Sequence, residues 1–289
     1  MMRDASRCFD MANVLPWQIW GEAQPRTYPY GLWGFVVLTI VGFIYLFAMW
    51  IIGILFYRTY RLYPQRKEYK YFSIGITAVA LFDTIHVIGD VLFFIMDDSR
   101  VPISLGADTV FYFYPFATSL SVMGIFIFYI LVYTYGVYKL GERKTFDYVF
   151  YLLGILGIAF GLNPYNFWHM IKPEGVFDTK PVTGTLLLIV GILAVIKFYA
   201  ALKTKIIADL EKAPVGLKRI KLVTWGLMLM LILVILMVPH GILATIRESW
   251  ALTLMVIITI LKLASLGSSA MLIYSGFVWP SWAERLFGR

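Results

Sequence analysis

Seven stretches of this chain are each long enough and apolar enough to cross a lipid bilayer. No other feature constrains the fold as strongly. A spanning helix needs about 20 mostly apolar residues at a rise of ~1.5 Å each. Residues 30–57, 71–96, 109–138, 147–171, 181–202, 221–246 and 250–277 meet that requirement, each bounded by charges, proline or glycine. The 289-residue chain is 60% hydrophobic and only 15% charged, where soluble domains carry about 25% charged residues. The predicted fold is therefore all-α, an integral membrane bundle of seven transmembrane helices. Helices satisfy their own backbone polar groups, which hydrocarbon cannot do. The expected division is an external N-terminal segment (1–29), the seven-helix domain (30–277) and a cytoplasmic amphipathic tail (278–289). No internal repeat, low-complexity segment or soluble domain is visible. The first thirty residues lack a continuous apolar run, so no cleavable signal peptide is expected. The one cysteine, Cys8, excludes an internal disulfide framework and a multi-cysteine metal site.

The basic residues orient the bundle. Of the 25 lysines and arginines, seventeen lie in connections 1–2, 3–4 and 5–6 or at the C-terminus, seven lie on the other side, and Lys262 lies inside a span. The positive-inside rule then puts the N-terminus outside and the C-terminus in the cytoplasm. It also absorbs most of the +8 formal charge, so nucleic acid is not an expected partner. Tryptophans such as Trp17, Trp33, Trp168, Trp250 and Trp279 fall near the expected interfaces. The expected location is the cell membrane. The stretch "KTKIIADLEKAPVGLKRIK" (203–221) reads as the longest inner loop, basic with an apolar seam at Ile206, Ile207 and Leu210. As a loop it is solvated, rests on the anionic leaflet, or contacts a cytoplasmic signalling protein.

Inside the spans, Asp83, Asp90 and Lys262 carry nominal charges, each costing roughly 2.5–3.5 kcal/mol at the bilayer centre. They are expected to face the bundle. At 100° per residue, Asp83, His86 and Asp90 share one helical face within about 60°. Asp83 and Lys262 both fall within ~3 Å of mid-span, which makes them candidate ion-pair partners. Asp90 and His240 both lie roughly 9–10 Å further out, with His86 between those levels. Pro239 precedes His240, cannot donate to the carbonyl of Ile235 and is expected to kink the sixth helix. Thr259, Lys262, Ser265 and Ser269 form one stripe on the last helix, where "GSSA" (267–270) permits tight packing. Tyr112, Tyr114, Thr118, Ser119 and Ser121 add polar groups on the third. The third histidine, His169, is placed near the outer interface.

Together these residues predict a ligand-binding pocket in the outer half, formed by Asp83, His86, Asp90, His240 and Lys262, with histidine protonation near neutral pH as a switch. The bland alternative is that they bond one another and hold the helices in register. His86, Asp90 and His240 also form a candidate ligand set for Zn or Cu. A b-type haem between His86 and His240 and a proton-coupled transporter were weaker alternatives, lacking flanking haem signals and inverted repeats.

Three family resemblances bear on these readings. "YSGFVWPSWAERLFGR" (274–289) resembles the junction that follows the last helix in seven-helix membrane input regions of prokaryotic sensor kinases. That implies a sensor or receptor-like binding protein, signalling here through a separate cytoplasmic partner. The chain also has some likeness to the seven-helix hydrolases related to adiponectin receptors and alkaline ceramidases. Those combine three histidines, Zn²⁺ and an aspartate, which implies Asp83 as a base or ligand-orienting group. Here Phe82 stands where that family has serine, and the last helix has no HxxxH pair. Lys262 resembles the Schiff-base lysine of microbial rhodopsins, which implies retinal as the less favoured cofactor. Ile258 stands where an aspartate is usual, so Asp83 would be the counter-ion.

Overall fold

The structure is a computed structural model that describes residues 31–96, 102–104, 110–141, 144–163, 180–213, 215–243 and 249–287. The expected N-terminal segment, the end of the fourth expected span (164–171) and His169 lie outside the described residues. Eight helices follow in chain order: α1 (Gly31–Leu62), α2 (Lys67–Met96), α3 (Phe113–Leu140), α4 (Thr145–Gly161), α5 (Lys180–Ala201), α6 (Gly216–Leu243), α7 (Ser249–Val278) and the short α8 (Ser281–Phe287). A two-stranded antiparallel hairpin, β1 (Pro102–Ser104) with β2 (Val110–Tyr112), joins α2 to α3 and pairs Ile103 with Phe111. The sequence reading ran the third helix from residue 109; the hairpin takes residues 110–112 instead.

Six of these helices are long and apolar enough to cross a membrane. The seventh apolar helix, α4, has 17 described residues, about 25 Å of helix. The lipid-compatible faces are visible as periodic exposure. On α1, Ile40, Ile44, Phe47, Ile51 and Ile54 are exposed, while Tyr45, Met49, Ile52 and Phe56 are buried. Steps of three and four residues separate the exposed side chains, the spacing of one helix face.

Packing gives a closed ring. α1 packs on α2 and α7, α2 on α3, α3 on α5, α5 on α6, and α6 on α7. α4 lies against both α3 and α5. Near the end that carries the α1–α2, α3–α4 and α5–α6 connections, here called the basic end, five rings form an aromatic floor. Phe72 lies 5.6 Å from Phe56, 5.8 Å from Tyr135, 5.8 Å from Phe198 and 5.7 Å from Phe277.

The expected loop at 203–221 is corrected. α5 continues through a π-helical turn, Leu202–Ile206, and a last α-helical turn, Ile207–Glu211, and α6 begins at Gly216. The connection shrinks to residues 212–215. The reason lies in spacing: Leu202, Ile206 and Leu210, four residues apart, are all buried. Lys203 and Lys205 stay exposed between them. An apolar stripe at helical spacing gains more by packing on the bundle than by lying loose. Asp209 adds an ion pair to Lys139 at the end of α3, at 2.8 Å.

Candidate functional site: a buried aspartate shared by three helices

The inward face of α2 is the stripe that its periodicity predicts. Leu81, Ile88 and Ile95 are exposed, whereas Asp83 and Phe93 are buried and His86 and Asp90 are half-buried. The carboxylate of Asp83 receives two hydroxyl donors from two other helices. Tyr45 Oη of α1 donates to Oδ2 at 2.9 Å, and Ser121 Oγ of α3 donates to Oδ1 in a short contact. Hydrogen bonds to an ionised acceptor are roughly twice as strong as neutral ones. One residue on, Thr84 accepts from Trp50 Nε1 at 3.2 Å and donates to the Ala80 carbonyl at 2.6 Å.

One charged group on a further helix, and a histidine on α2 itself, approach this carboxylate. Lys262 of α7 and His86 are both near enough for their charges to act on Asp83. The charge of Lys262 also acts on His240 of α6. Asp83 and Lys262 therefore lie near each other, as their common depth suggests, but they do not form the direct ion pair; the carboxylate's bonded partners are Tyr45 and Ser121. Nor do α2 and α7 need to pack tightly for this approach, because both lean on α1.

His86 completes the cluster. Its ring centroid is 5.8 Å from that of Tyr114, which in turn meets Phe93 edge-on at 4.9 Å. The Nε2 atom of His86 is sealed from solvent and makes no hydrogen bond among the described residues. Most buried polar atoms in native proteins do have a partner. Of the other helix 3 polar groups, Thr118 and Ser119 bond back to the Tyr114 and Pro115 carbonyls at 3.0 and 2.9 Å. Asp90, two turns beyond Asp83, has interactions of its own. Pro239 lies inside α6, immediately before His240.

The metal set does not assemble. Among the described residues, no group of three or more histidine, cysteine, aspartate or glutamate side chains is placed to hold a metal ion. His86, Asp90 and His240 do not form such a group.

A second buried aspartate was not singled out from the sequence. Asp147, in the first turn of α4, accepts from Lys197 Nζ of α5 at 2.8 Å and from Tyr133 Oη of α3 at 2.6 Å, both at Oδ1. Its Oδ2 takes the backbone N–H of Lys144 at 2.7 Å, closing the helix start. Phe150 stacks on the Tyr133 ring at 3.5 Å, and Lys197 sits 5.4 Å from the same ring. The cluster clamps α3, α4 and α5 together at the basic end. A charge at the start of an apolar run was the only sequence signal for it.

Comparison with protein family models, with characterised proteins and with solved structures found no match to this chain.

Proposed function

We propose that this protein is a seven-helix membrane sensor of the receptor-like kind, with its N-terminus outside and its basic end in the cytoplasm. α4 belongs to the seventh span. Its binding pocket centres on Asp83, His86, Asp90, His240 and Lys262, in the outer half of the bundle, and a cytoplasmic partner reads it out. One observation carries this reading. A buried carboxylate is held by hydroxyls from two other helices, and a histidine nitrogen one turn away is sealed from solvent with no partner among the described residues. A network that served only to hold helices in register would use up its buried polar atoms. This one keeps a hydrogen-bonding nitrogen in reserve on the helix that carries the Asp83 carboxylate, which the Lys262 ammonium also approaches. Ligand or proton uptake there alters the packing of five helices at once, because Tyr45, Asp83, Ser121, His240 and Lys262 each come from a different one.

Trp50, bonded to Thr84 next to Asp83, is a built-in reporter. The test is tryptophan emission of the reconstituted protein between pH 5 and pH 8, with Trp50→Phe identifying the contribution of that ring. A titration that is lost in Asp83→Asn and in His86→Gln supports the reading. Identical titrations in wild type and both variants would sink it.

A second reading is favoured by one relation, the action of the Asp83 charge on Lys262. A retinal Schiff base on Lys262 would need a carboxylate there. Expression with all-trans-retinal tests it. A visible absorbance band abolished by Lys262→Ala supports it, and colourless protein refutes it.

A further inference from the structure

At the basic end, one guanidinium group is bound to the last turn of α7 and a second reaches the same turn through Tyr69. Arg219 of α6 is only 8% exposed. Its Nε donates to the Gly276 carbonyl at 2.8 Å, and its Nη2 donates to that of Phe277 in a short contact. Tyr69 Oη donates to the same Phe277 carbonyl at 3.3 Å. The ring of Tyr69 in turn carries Arg66, whose Cζ stands 5.3 Å from its centroid. Tyr69 therefore links the two cations, and their charges act on each other.

The compensating charge is incomplete. Glu68, buried, is bound to Arg66 Nε at 2.7 Å. The carbonyl end of α7 adds roughly half a negative charge. Asp209 is already held by Lys139. Two guanidiniums thus face one carboxylate and one helix end, and several of their N–H donors are unassigned among the described contacts. The second, independent observation is Tyr135. The residue is fully buried and its hydroxyl has no hydrogen-bond partner among the described residues. The Tyr135 ring lies 6.1 Å from that of Phe277, whose carbonyl Arg219 and Tyr69 share, and the charges of Glu68 and Arg66 act on its hydroxyl. Leaving a buried hydroxyl unsatisfied is costly, so the fold retains it against a penalty.

We propose that Arg66, Arg219 and Tyr135 form a binding site for a phosphate-bearing anion. The guanidinium forks match phosphate oxygens in geometry and charge, and the Tyr135 hydroxyl supplies a neutral donor. The site lies where the apolar spans of α1 and α2 meet their polar connection, the level of a lipid headgroup. A headgroup phosphate and a free phosphate share this chemistry, and the experiment separates them.

The test is thermal unfolding of the whole chain in a neutral detergent. Titrants are inorganic phosphate, short-chain phosphatidylglycerol and short-chain phosphatidylcholine. Stabilisation by phosphatidylglycerol alone assigns a lipid headgroup, and stabilisation by phosphate as well assigns a free anion. In either case Tyr135→Phe raises the half-saturating concentration several-fold, while the exposed-site control Lys70→Gln leaves it unchanged. Arg66→Lys, which keeps the charge and loses the fork, also weakens binding and serves if Tyr135→Phe does not fold. Four outcomes overturn the proposal: no shift with either anion, an equal shift with phosphatidylcholine, no change in the weakened variants, or an equal change in Lys70→Gln.

Discussion

Asp83 and Asp147 are both buried aspartates, and the chain surrounds them in different ways. Asp147 has a lysine in direct contact, a phenol and a backbone N–H. Asp83 has two hydroxyls, with its cations at a distance. The first arrangement resists change, because removing one member strands the other's charge. Asp147→Asn is expected to destabilise the bundle by about 3 kcal/mol, the lower end for a broken buried pair, since Lys197 keeps 15% side-chain exposure. Asp147→Asn combined with Lys197→Met is expected to cost clearly less than the sum of the two single changes, as a double-mutant cycle of thermal unfolding would read. The inward aim of Asp83 was legible in the sequence, because its helical face is set by spacing. Its partners were not. A tyrosine on α1 and a serine on α3 carry no mark of pairing, and which helices meet is decided by the ring order. Asp147 was harder still: at the end of an apolar run a carboxylate looks inexpensive, and its lysine lies fifty residues on among the loop cations.

At the scale of elements, long apolar runs gave six helices that the structure bears out as long enough to span, because length and hydropathy are local properties. The stretch at 203–221 failed the same reading, its charges outweighing a four-residue seam that only a partner surface makes meaningful. Small residues set the α6–α7 contact. Ser269, in the stripe expected to pack tightly, donates to the Gly226 carbonyl at 2.8 Å. A Cβ added at Gly276 would lie 2.8 Å from the Arg219 carbonyl oxygen. Gly276→Leu is therefore expected to lose about 1–3 kcal/mol by overpacking, seen as a lower unfolding temperature. The turn between α5 and α6 contains the opposite case. Val215 holds φ at 58°, a left-handed conformation that is strained for a β-branched residue. Val215→Gly is expected to gain about 1 kcal/mol, measured by the same unfolding experiment.

On the scale of the whole molecule, the orientation proposed here has a direct check. Lys205 is exposed on the π-helical turn. In a Cys8→Ser background, Lys205→Cys is expected to react with a membrane-impermeant maleimide only when the cytoplasmic side is opened. Labelling from outside would reverse the bundle. The ring order itself was not legible. Seven apolar runs are compatible with many circular arrangements, and only side-chain fit selects one of them.

The Asp147 clamp has a mechanical corollary. It pins α3, α4 and α5 at one end, and the glycine–serine seam together with Arg219 pins α6 to α7 at that same end. Among the described residues the other half of the bundle is joined differently, by the bonds of Asp83 to Tyr45 and Ser121 and by apolar contacts such as those of Leu243, Ala251 and Met255. With a charged clamp on three helices and a buried arginine tying two more, the basic end is the hub of the molecule, and loosening it would slacken five helices together.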